Sequence, residues 1–149
     1  AGDCTSVVWF NGVRRPEQLW YTSRDQGKVA GGNLCGANEI YRRGTFYNSA
    51  KFFDIEYTTA GFVNADFEGE QEWFQVEPGS YNTARLVNLP DGSLIGFNGL
   101  GRRWDHRILV KWIEEKRKIE WVRDNLHHAC FDEEFMSRFR LVEPGEKRG

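Results

Sequence analysis

The spacing of apolar and polar positions changes character near residue 40. Before that point, "SVVWF" (6–10) is a short β-branched and aromatic run, and "NGVRR" (11–15) interrupts it as a turn. The next stretch, "PEQLWYTSRDQGKVAGGNLCG" (16–36), predicts a helix. Leu19, Ser23, Gln26, Ala30 and Leu34 recur at a three-to-four spacing and form a narrow face of mostly small residues, suited to lying close on a sheet. Pro16 is placed at the first helical position, Glu17 at the positive N-terminal end, and Gly31–Gly32 and Gly36 weaken and end the helix. Gly27, Gly31 and Gly32 each cost about 1 kcal/mol against Ala inside a helix. That cost implies a close approach by another backbone.

From Tyr41 the period shortens to that of strands. "AKFFDIEYTTAGFV" (50–63) and "EWFQVE" (72–77) are aromatic and β-branched runs bounded by Gly, Asn and Pro. In "TARLVNLPDGSLIGFNG" (83–99) two strands flank Pro90-Asp91-Gly92, where proline presets φ and glycine takes the left-handed turn position. A helix capped by Asp105 follows, with Ile108, Leu109, Trp112 and Ile113 on one face. "RKIEWVRDNL" (117–126) either extends that helix or follows a break. "DEEFMSRFRLV" (132–142) is a final short helix or strand, and "EPGEKRG" (143–149) a solvated tail. Consecutive antiparallel strands followed by helices predict an α+β fold, an antiparallel sheet of about five strands with helices on one side.

Composition narrows the functional classes. The 149 residues suit one ordinary domain, or one domain with a remnant of another. Hydrophobic residues make up 40% and aromatics 15%, which is too apolar for disorder. A formal net charge of −2 exerts no long-range pull on nucleic acid or anionic lipid. No apolar run has the length of a membrane span. The cysteines, Cys4, Cys35 and Cys130, are odd in number and widely spaced, which points to reduced thiols in a cytoplasmic protein.

Most chemistry-like clusters have plainer readings. "GFNGLGRR" (96–103) matches neither phosphate-loop spacing. His127, His128 and Cys130 lack a second ligand pair at zinc spacing, so no metal site is expected. "EEKRK" (114–118) is mixed charge on a helix face. Cys4 has no C-x-x-C partner that would make it a redox centre. The start of the chain is different. Gly2-Asp3 by itself is a common turn pair, and what changes the reading is the whole stretch that follows it, a turn and then the 16–36 helix.

That succession, "GDCT" and then "EQLWYTSRDQGKVAGGNLCG", resembles the last FAD-binding segment of the pyridine nucleotide-disulfide oxidoreductases, in their ferredoxin reductase-like and apoptosis-inducing-factor-like branches. Trp20, Gln26, Gly27, Ala30, Gly31 and Asn33 match positions of the family's helix, while Gln18 stands where many relatives carry Glu. The resemblance implies that Asp3 accepts a hydrogen bond from a ribityl hydroxyl of FAD, a strong pairing because the acceptor is charged. It also implies that Cys4 shares this flavin-facing turn. Backbone N–H groups near Leu19 and Trp20 would face the pyrimidine edge of the flavin, with the Trp20 ring bordering it. "RLVNLPDGSLIGFNGLGRRWDHRILVKWI" (85–113) resembles, more loosely, the hairpin and helix of the family's C-terminal domain.

The resemblance implies a domain division: residues 1–38 as the C-terminal remnant of an FAD-binding domain, and 41–149 as an α+β interface domain. The family's two G-x-G-x-x-G turns, for FAD and for NAD(P)H, are absent from these residues. The expectation is therefore a C-terminal piece of an FAD-dependent NAD(P)H oxidoreductase, inactive alone and with no catalytic residue of its own. Its implied partners are the missing FAD and NAD domains, a second copy in a homodimer, and an electron acceptor of unknown identity. Two rival readings stay open: a non-catalytic interaction module with an aromatic-rich sheet, and a self-contained small-ligand binder.

Overall fold

In the computed structural model, residues 1–9 and 12–131 are described, and they fall into two compact units divided between Gly44 and Thr45. The final helix or strand expected at 132–142, and the tail after it, lie outside the described residues.

The first unit starts with a hairpin: β1 (Ser6–Val8) pairs antiparallel with β2 (Arg14–Pro16), Val7 opposite Arg15. Helix α1 (Trp20–Leu34) follows. Its start differs from the sequence expectation. Pro16 ends β2 instead of opening the helix, a place where a missing N–H costs little, and Leu19 is the N-cap. Glu17 precedes the helix and does not lie in its first turn. It is buried, receives the Arg43 guanidinium on both carboxylate oxygens, and accepts from the Thr22 hydroxyl at 3.1 Å. The C-terminus agrees with expectation: Gly36 takes φ +90°, its N–H donates to the Asn33 carbonyl, and Ala37 N–H donates to the Gly32 carbonyl. These two bonds satisfy carbonyls that the ending helix orphans.

The second unit is the five-stranded antiparallel sheet with helices that the pattern predicts. Its strands are β3 (Tyr47–Phe52), β4 (Ile55–Gly61), β5 (Gln71–Val76), β6 (Thr83–Asn88) and β7 (Leu94–Leu100), in the order β3-β4-β7-β6-β5. Only the β4–β7 pairing joins strands that are not consecutive in sequence. The register aligns Tyr47, Ala60, Phe97, Leu86 and Trp73 in one row across all five strands. That row is the floor of the core. Helix α2 (His106–Glu114) lies against β3, β4 and β7, and contributes Leu109 and Trp112. Helix α3 (Ile119–Asn125), separate from α2, and the short 3₁₀ turn Leu126–Ala129 add Ile119, Val122 and Leu126.

Two close approaches shape the sheet. A Cβ at Gly96 would fall 1.9 Å from the Phe62 carbonyl oxygen, so only glycine lets that segment cross β7. The Trp104 indole rests over Gly99 and meets Phe97 edge-on at 5.0 Å. Inside the core, the Trp73 indole N–H donates to Asn88 Oδ1 at 2.8 Å, which settles two buried polar groups at once. The run 50–63 contains a turn its residues do not advertise: β3 and β4 reverse at Phe53-Asp54, with Phe53 at φ +55°.

Candidate cofactor-facing site

Asp3 lies in a tight turn, closed by the Thr5 N–H on the Gly2 carbonyl at 2.9 Å. The turn is moored to α1 at two points. Gly2 N–H donates to Gln26 Oε1 at 2.9 Å, and the Ser23 hydroxyl donates to Asp3 Oδ1 at 2.8 Å. The carboxylate is exposed, and Oδ2 has no hydrogen-bond partner among the described residues. Acceptor capacity therefore remains for an incoming hydroxyl.

Ser23 stands one turn from Trp20, so Asp3 flanks the N-terminal turns of α1. Leu19 caps that end in an extended conformation without a side-chain hydrogen bond, and the first turn holds no acid. The first helical bond runs from Ser23 N–H to the Leu19 carbonyl. The first N–H groups of the helix thus have no side-chain cap, while the Glu17 carboxylate reaches the first turn through the Thr22 hydroxyl. Trp20 is 68% exposed and meets Tyr21 edge-on at 5.2 Å, with the Arg24 guanidinium 5.2 Å from its ring centre. Cys4 adjoins Asp3 in the same turn, exposed, its thiol 3.5 Å from the Ala1 carbonyl. Of the four flavin-facing residues expected from the sequence, the structure ties Asp3 to the helix that Leu19 and Trp20 begin, and gives Cys4 a local contact only.

Sequence reasoning missed a second feature of this unit. Behind the Asp3 turn, a cavity of about 490 Å³ opens between β1, α1 and the 39–43 segment. Gln26, 4% exposed, lines it together with Thr5, Tyr41, Arg14 and Arg42. Burial raises the Tyr41 pKa above the ordinary phenol value; the Glu17 carboxylate pushes it the same way, while Arg43 and the nearby Gln26 amide oppose the rise. The phenol is therefore a neutral donor across the physiological range. One wall is braced by Trp9, whose ring has the Arg15 and Arg43 guanidiniums each 4.4 Å from its centre. The only signal of this cavity in the sequence is Gln26 itself, a long amide on an otherwise small helix face.

Among the described residues no group of three or more His, Cys, Asp or Glu side chains could hold a metal ion, and no helix is long and apolar enough to cross a membrane. His127 and His128 sit in the 3₁₀ turn with ring centres 4.0 Å apart. Cys4, Cys35 and Cys130 are free thiols.

The fold is an α+β one, a five-stranded antiparallel sheet with helices, accompanied by a hairpin–helix unit. No family model and no curated protein matches the chain. Solved structures do match. An NAD-dependent persulfide reductase from A. fulgidus superposes over 83% of the chain with a TM-score of 0.65 and 19% identity. An FAD-dependent pyridine nucleotide-disulphide oxidoreductase from Desulfovibrio vulgaris does so over 83% with a TM-score of 0.63 and 18% identity. At these identities the likeness establishes a shared fold. The chain spans 26% and 33% of the length of these two proteins.

Proposed function

We propose that the chain is the C-terminal part of an FAD-dependent NAD(P)H oxidoreductase of the pyridine nucleotide-disulfide type, and that residues 1–38 supply flavin contacts. The observation that carries this reading is the moored Asp3 carboxylate, with one oxygen open, beside a helix start that no side chain caps. The residues fit the group. A carboxylate oxygen suits a ribityl hydroxyl, the uncapped helix start suits the acceptor-rich edge of a flavin, and an exposed indole at Trp20 suits an aromatic ring face. The bound flavin supplies hydride acceptance and electron transfer; the share of this chain is orientation and electrostatics. Asp3 would hold the ribityl chain in place, the Leu19–Trp20 backbone would favour negative charge on the ring edge, and Cys4 would line the turn. Residues 41–149 would form an outer wall and a dimer or partner surface. The nicotinamide cofactor would bind in a separate domain.

The test is made on the full-length protein. Its sequence ahead of Ala1 should carry two G-x-G-x-x-G turns, and it should purify yellow with bound FAD. Asp3→Ala should weaken FAD retention by roughly tenfold or more, the range for a lost hydrogen bond to a charged group. Stoichiometric flavin in that variant after dialysis would remove Asp3 from the site.

A second reading rests on exposed aromatics in the 45–131 residues: Phe53, 97% exposed at its left-handed turn, beside exposed Phe52 on β3, and Tyr81. Strain and exposure together at Phe53 favour a contact point for a protein partner. A full-length protein free of flavin would leave this interaction-module reading ahead.

A further inference from the structure

Two side chains of α1 hold the Asp3 turn. Ser23 and Gln26 are three residues apart, on one ridge of the helix with Trp20. Gln26 Oε1 accepts the Gly2 N–H at 2.9 Å, and the Ser23 hydroxyl donates to Asp3 Oδ1 at 2.8 Å. Gly2 takes φ +89°, and a Cβ built on it would lie 3.9 Å from Ser23 Oγ, so the turn sits directly over that side chain. A serine inside a helix ordinarily turns its hydroxyl to solvent or back to the carbonyl four residues earlier. Here the Leu19 carbonyl accepts the Ser23 N–H, and the hydroxyl goes to Asp3 instead. A hydroxyl donating to an ionised carboxylate makes a bond about twice as strong as a neutral pair. The short Asp3 side chain is exposed and would otherwise sample several rotamers. Ser23 engages Oδ1 alone, which selects among those rotamers and leaves Oδ2 available as an acceptor.

We propose that Ser23 is a positioning residue for the flavin: by holding Oδ1 it presets Oδ2 for the ribityl hydroxyl, so the carboxylate is ordered before the cofactor arrives. This inference rests on the flavin reading above and adds to it a residue that acts through Asp3. A side chain that is already immobilised need not be ordered on association, which is worth roughly two- to tenfold in affinity. The sequence pattern marks position 23 only as a small residue on the α1 face. It is the hydroxyl, not the size, that the turn uses.

The test uses the full-length protein and equilibrium FAD affinity, read from flavin fluorescence as FAD is titrated into the apoprotein. Ser23→Ala should weaken FAD roughly three- to tenfold, within the range for a side chain that must be ordered on binding. In an Asp3→Ala background the same substitution should change FAD affinity by less than about 1.5-fold, because the hydroxyl then has no carboxylate to hold. Ser23→Thr keeps the donor and should bind FAD within about twofold of the parent protein. Three results each overturn the inference while leaving the flavin reading in place: unaltered FAD affinity in Ser23→Ala, an equal loss with and without Asp3, or Ser23→Thr binding as weakly as Ser23→Ala. Undiminished FAD affinity in Asp3→Ala itself would overturn the assigned role of Asp3, and this inference with it.

Discussion

Asp105 holds the start of α2 with one carboxylate. Oδ1 accepts from the Arg107 N–H at 2.9 Å, and the Arg107 guanidinium approaches both oxygens. The hydrogen bonds from Arg107, opposed in part by burial, hold the Asp105 pKa below the ordinary carboxylate value. A depressed pKa means that this group's stabilisation is present above the unfolded value of about 3.9 and is lost as pH falls through the lower folded value. Asp105→Ala is expected to cost about 1 kcal/mol at pH 7, the usual loss of a cap, and its deficit in urea midpoint should shrink as the pH falls below the ordinary carboxylate range. A deficit that stays constant with pH would mean that packing, not the charged cap, is what Asp105 provides. This cap was legible in the sequence because its partner lies two residues away. Glu17 was not. Its partner Arg43 is 26 residues on, and nothing local distinguishes a carboxylate at a helix start from one buried in an ion pair.

At the level of elements, α1 carries Gly27 and Gly31 one turn apart, and a Cβ built at either would meet no heavy atom within 4 Å outside its own helix. Nothing described in this chain supplies the close approach that the sequence implies for them. Trp20 and Leu34, both strongly exposed, fall seven residues either side of Gly27 on the same face. Since the helical backbone suits alanine and the space is open, Gly31→Ala should stabilise this chain by about 1 kcal/mol, read as a higher helix signal and unfolding midpoint by circular dichroism. A neutral or destabilising result would mean that a neighbour already packs on that face. The β3–β4 reversal shows the opposite case, an element boundary hidden from the sequence. Phe53-Asp54 lacks the glycine or asparagine that announces a two-residue turn, and the pairing of six residues on each side imposes the left-handed φ on Phe53.

Across the molecule, every buried residue of the main core cluster, from Ala60 to Cys130, belongs to the second unit. A segment with its own core meets the physical requirement for independent folding. Residues 45–149 expressed alone are expected to unfold cooperatively and to keep the near-ultraviolet signal of the buried Trp73, Trp104 and Trp112; a broad transition with that signal lost would show that residues 1–44 complete the fold. The sequence alone was enough for the α+β class, the separate strand and helix regions, the Pro90-Asp91-Gly92 reversal, the Asp105 cap and the glycine end of α1, because each depends on periodicity or chemistry within a few neighbouring residues. Tertiary structure alone decided that β4 pairs with β7, that Glu17 is buried against Arg43, and that Gln26 faces a cavity. Those outcomes depend on which distant residues meet, and on the desolvation of polar groups that follows, and neither quantity is written into any local stretch of the chain.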